Sequence, residues 1–89
     1  MHAGADNKHN PKREAQEQSR LLRREMGRHS VDTGEVTITV THGVIHLHGK
    51  VRPLRGHEEH FQTELAALLK ALRQRPGVRD VIADWMVYG

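Results

Sequence analysis

The stretch from Val36 to Val51 constrains this chain more than any other. Val36-Thr-Ile-Thr-Val-Thr41 and Val44-Ile-His-Leu-His-Gly-Lys-Val51 are alternating runs that meet at His42-Gly43. Alternation at period 2 marks a strand with one buried face, and a two-residue link between two such runs makes a β-hairpin. The favoured type I′ turn needs positive φ at both central positions, and Gly43 adopts it without steric cost. Counting outward from the turn sets Val40 opposite Ile45, Ile38 opposite Leu47 and Val36 opposite Gly49 on one face. The other face pairs Thr39 with His46, Thr37 with His48 and Glu35 with Lys50, the last a pair of opposite charge. A slip of one residue would turn the whole apolar set to solvent, so turn and pattern specify the same register.

With 89 residues and no cysteine, the chain holds one small domain whose core comes from a few packed elements, with neither disulfides nor thiolate metal ligands. The net charge of +3 is unevenly placed: residues 1–30 carry seven Lys/Arg against four Asp/Glu, and residues 31–89 carry seven of each. A basic excess confined to the N-terminal third points to anionic partners there and to ordinary scaffold elsewhere. No apolar run approaches the roughly 18 residues of a membrane span, and the start Met-His-Ala-Gly-Ala-Asp lacks a signal-peptide pattern. The expectation is a soluble domain, cytoplasmic if Met1 is the true start and periplasmic if an export signal has been trimmed.

In chain order, residues 1–10 have almost no apolar content and are expected to form a disordered tail, with residues 11–89 as the domain. Asn10-Pro11 opens a helix predicted over Pro11–Met26, with Gly27 placed to cap it. At 100° per residue, Ala15, Leu22 and Met26 fall within about 40°, with Lys12, Arg13, Arg20, Arg23, Arg24 and Arg28 around the opposite side. Residues 31–35 read as a short connection into the hairpin, and Arg52-Pro53 closes its second strand. Leu54, Phe61, Leu65, Leu68 and Leu72 share one stripe, which predicts a core helix over 54–75, stopped by Pro76-Gly77. Val81, Ala83, Trp85 and Val87 then alternate with Ile82, Asp84, Met86 and Tyr88 in a third strand. The order α-β-β-α-β predicts an α+β two-layer sandwich, two helices on one face of a small three-stranded sheet.

Val40-Thr-His-Gly43-Val-Ile-His-Leu47-His-Gly49-Lys-Val51, a helix, and then Gly77-Val78-Arg-Asp-Val81-Ile-Ala-Asp-Trp85-Met-Val87 together resemble a BON domain, the module of bacterial osmotic-shock and nodulation proteins. The likeness spans residues 31–87 and includes three structural glycines, Gly43, Gly49 and Gly77. Ala83 and Trp85 stand where that family usually shows Asn and Leu. The resemblance implies a module associated with membranes or phospholipids, often in envelope proteins, with no catalytic residues to carry over.

Read for chemistry, the chain offers little to an enzyme: no nucleophile beside a base, no Gly-rich phosphate loop and no recognisable carboxylate pair. Arg52-Pro-Leu-Arg-Gly56 has one glycine and reads as a loop into a helix. His46 and His48, two apart on a strand, put both imidazoles on one side, but Thr37 and Thr39 opposite them are poor metal ligands. His57-Glu-Glu-His60 is not the His-Glu-x-x-His of zinc proteases, and His57 falls on the apolar side of the predicted helix. No metal or cofactor is expected. The leading expectation is a non-catalytic binding module in which Arg13, Arg20, Arg23, Arg24 and Arg28 meet an anionic phospholipid surface or envelope partners. Two other readings compete with it. One is nucleic-acid binding through the same basic helix, with Tyr88 able to stack a base. The other is protein docking or homodimerisation through the outer sheet face, where Val44, Ile82, Met86 and Tyr88 gather. The bland reading of the arginines is a solvated face held by Arg13–Glu17 and Glu17–Arg20 pairs.

Overall fold

The structure is a computed structural model that describes residues 11–89; the expected N-terminal tail lies outside the described residues. Helix α1 spans Pro11–Met26, strand β1 Val31–Thr41, strand β2 Val44–Pro53, helix α2 Phe61–Arg73, strand β3 Asp80–Ala83 and strand β4 Met86–Val87. A single 3-10 turn, Glu58–His60, leads into α2. The fold is the α+β sandwich that the element order implies.

The hairpin register is the one set by the turn: Thr41 pairs Val44, Val40 pairs Ile45, Ile38 pairs Leu47 and Val36 pairs Gly49. His42 at φ 51 and Gly43 at φ 79 occupy the two positive-φ positions that a type I′ turn requires. Space is short at Gly43 as well: an added Cβ would lie 2.8 Å from the Gly77 carbonyl oxygen and 2.9 Å from Arg79 Cγ. Gly43→Val is therefore expected to destabilise the domain by at least about 1 kcal/mol, because a β-branched residue is strained there and its neighbour is backbone. An unchanged midpoint in chemical denaturation would contradict this turn.

Residues 31–35 are not a connection. They belong to β1, which carries an extra residue between Asp32 and Glu35 where β2 has only Val51. This bulge shifts the alternation by one, so Val31 and Val36, five apart, both point into the core. In the sequence this odd spacing resembles an interruption of the strand.

β2 is the central strand. Its other edge pairs in parallel with β3, Val44 with Asp80 through Leu47 with Ala83, and with β4, Lys50 with Met86 and Val51 with Val87. The backbone carbonyls of Gly43, Leu47 and Val51 accept hydrogen bonds from the N–H groups of Arg79, Asp84 and Tyr88 at 2.7, 2.8 and 2.9 Å. The expected third strand is thus two pieces in one register, giving four strands. The break falls at Asp84-Trp85, level with His48-Gly49.

Leu22 and Met26 of α1, Phe61, Leu65, Leu68 and Leu72 of α2, and Val31, Val36, Ile45, Leu47, Val51 and Val81 of the sheet form one core. Both helices therefore lie on the same sheet face. Leu54 is not part of this core. It is exposed and precedes the helix, because Gly56 at φ 89 makes a tight turn closed by the His57 N–H on the Leu54 carbonyl at 2.9 Å. A residue in the left-handed region cannot sit inside an α-helix, so the spacing from Leu54 to Phe61 is accidental. His57 is correspondingly exposed rather than on an apolar helix face. Val87 is exposed too, while Trp85 is half-buried against the core. Gly27 does follow α1, but its φ is not positive, so the helix unwinds through turns at residues 27–30 instead of a left-handed cap.

Candidate functional site

The five arginines singled out on α1 and in the turn after it do not form one surface. Arg20 and Arg24 lie within about 40° of each other on the helix wheel and about 160° from the centre of the buried pair Leu22 and Met26. They are exposed and have no partner among the described residues, so the expected Glu17–Arg20 pair does not form. Arg13, also exposed, falls on the same stripe.

Arg23 is turned away from this ridge. Its guanidinium donates to the Thr33 carbonyl at 3.2 Å and to the Val36 carbonyl, clasping the bulge of β1 from the helix above it. A guanidinium presents several donors in a fixed fork, which suits two carbonyls outside the ladder, Thr33 in the bulge and Val36 directed to the open edge by the alternation of the hairpin. Arg23 is therefore a structural residue rather than part of an anion-binding set. Arg28, with its side chain 69% exposed, sits 3.5 Å from Glu25 Oε1.

Glu25 anchors a network that sequence reasoning did not find. Its carboxylate, 15% exposed, lies 3.4 Å from Arg75 Nη1 and 3.2 Å from His29 Nε2. His29 Nδ1 is in turn 3.9 Å from Glu64 Oε1, which accepts a hydrogen bond from the Ser30 N–H at 3.1 Å. These contacts tie the end of α1, the turn after it and both ends of α2 together. The Glu25–Arg28 and Glu25–His29 spacings of three and four carry a sequence signal; Arg75 and Glu64 reach the site through the fold.

The structural glycines each take positive φ: 79 at Gly43, 103 at Gly49 and 85 at Gly77. Gly49 is the tightest, because an added Cβ would lie 2.0 Å from the Glu35 carbonyl oxygen. On the sheet face opposite the helices, His46 and His48 stack with ring centroids 5.9 Å apart and an interplanar angle of 7°. Among the described residues, no group of three or more His, Cys, Asp or Glu is placed to hold a metal ion.

No protein-family model matches this chain, nor does any curated protein or solved structure. The likeness to BON domains thus rests on the residues quoted for it, and function has to be argued from the surfaces themselves.

Proposed function

We propose that the domain is a non-catalytic binding module for anionic phospholipid surfaces, engaged through the outward ridge of α1. The observation that carries this reading is the placement of Arg20 and Arg24: exposed, unpartnered among the described residues, and facing directly away from the core. A cationic side chain near an anionic leaflet contributes about 1 kcal/mol. Arg20 and Arg24 together would supply about 2 kcal/mol, which corresponds to weak, reversible attachment. Leu22 and Met26 are fully buried in the core, so the helix rests on headgroups and has no free apolar face to insert.

Co-sedimentation with vesicles tests this. The parent should bind anionic vesicles and ignore zwitterionic ones, with binding lost as salt screens the surface over a Debye length of about 8 Å. The Arg20→Glu, Arg24→Glu variant, which leaves the Arg23 clasp and the Glu25 network intact, should bind at least about tenfold more weakly. Equal binding by parent and variant would end the phospholipid reading.

A further inference from the structure

The face of the sheet away from the helices is uncovered, and its central strand has a consistent chemistry. Beyond Val44, the outward residues of β2 are His46, His48, Lys50 and Arg52, a line about 20 Å long at roughly 3.3 Å per residue. At one end of that line stands Tyr88, 40% exposed, its backbone N–H fixed on the Val51 carbonyl at 2.9 Å. The Arg52 guanidinium lies 5.0 Å and the Lys50 ammonium 5.9 Å from the centre of its ring. Farther along, the parallel imidazoles of His46 and His48 present a second set of flat rings.

A tyrosine ring on an open sheet with two cations over it matches the two parts of a single-stranded nucleic acid: a base that takes the guanidinium's place on the ring, and phosphates that need the charge so released. A lipid headgroup would use the charges but not the ring planes. The carboxylates of this face are Asp32, Glu35, Asp80 and Asp84. Asp32 stands opposite Arg52 and accepts the Gly34 N–H at 2.9 Å. Glu35 pairs with Arg52 at 3.3 Å, but the two side chains are 59% and 44% exposed, and such a pair is readily exchanged for a phosphate. Asp80 lies at the far end beside Val44, and its carboxylate accepts the Val81 N–H at 2.8 Å.

We propose that this outer sheet face binds single-stranded nucleic acid, with one base stacked on Tyr88 and its flanking phosphates held by Lys50 and Arg52. The site is independent of the α1 ridge, which lies on the opposite side of the sandwich.

Fluorescence anisotropy with a labelled oligouridylate of about 12 nucleotides, its DNA counterpart and a duplex of the same length tests it. The parent should bind both single strands and prefer them to the duplex. Tyr88→Ala should weaken binding about tenfold without changing its salt dependence, and Tyr88→Phe should retain it, since the ring does the stacking. Lys50→Gln with Arg52→Gln should instead flatten the slope of log affinity against log salt by about 1.4, the loss of two phosphate contacts. Glu35→Gln should tighten binding by freeing Arg52. Arg20→Glu with Arg24→Glu should leave oligonucleotide binding unchanged, which separates this site from the phospholipid ridge. No binding by the parent, equal binding by Tyr88→Ala, or loss of anionic-vesicle binding in the Lys50/Arg52 variant while the oligonucleotide is ignored would each overturn the proposal.

Discussion

Gly49→Ala is expected to lower the stability of the domain by about 3 kcal/mol, one added methyl group notwithstanding. Two effects act together. The backbone at φ 103 lies where an L side chain costs about 1–3 kcal/mol. The new Cβ would also stand 2.0 Å from the Glu35 carbonyl oxygen. That neighbour is backbone in the paired hairpin, so it cannot rotate aside as a side chain could. Relief requires opening the ladder near Glu35 and Lys50, at about 1 kcal/mol for each hydrogen bond lost. Since the 79 described residues sustain only about 4–12 kcal/mol in total, urea denaturation followed by far-UV circular dichroism should show a much lower midpoint. A midpoint within error of the parent would mean that β2 does not pass Glu35 in this register.

Leu68→Ala should cost about as much, by a different route. Leu68 is fully buried beneath the sheet among Leu65, Leu72 and the inward residues of β2. Truncation there removes transfer energy and leaves a cavity, together about 2–5 kcal/mol. Leu54→Ala is the paired control. Sequence spacing placed Leu54 on the same stripe, whereas the structure exposes it in the turn before α2, so its truncation should change stability by no more than about 0.5 kcal/mol. A large loss at Leu54 with a small one at Leu68 would invert the assignment of the helix.

The contrast between these two leucines shows what the sequence could and could not reveal. Period-2 alternation around a two-residue turn is a local signal, and it yielded the hairpin register, the core face and the need for positive φ at Gly43. The helical stripe from Phe61 to Leu72 was equally plain. Its false extension to Leu54 arose because a wheel registers apolar spacing but not the backbone conformation of an intervening glycine. The bulge at residues 33–34 was hidden for a related reason: an extra residue looks like lost alternation until the partner strand is known. Among the functional candidates, Arg20 and Arg24 face solvent as the wheel implied. Arg23 does not, since its role depends on carbonyls of a strand whose bulge leaves no mark on the helix. The Lys50, Arg52 and Tyr88 grouping was illegible in another way. It requires the parallel pairing of the last strand with β2, between segments about 36 residues apart in the chain.

The clasp by Arg23 also governs how the sheet ends. In a hairpin closed by two residues, ladder bonds alternate, so Val36, Ile38 and Val40 direct their backbone groups away from β2 toward the open edge. That edge is composed of uncharged, β-branched residues from Val36 to Thr41, the composition that invites a foreign strand to add on. With the Val36 carbonyl already taken by Arg23 and the bulge twisting the chain beyond it, only Ile38 and Val40 remain as docking points. That shortens the template offered to an incoming strand. The side chain that fastens helix to sheet thereby also limits open-ended sheet growth and the self-association that follows from it.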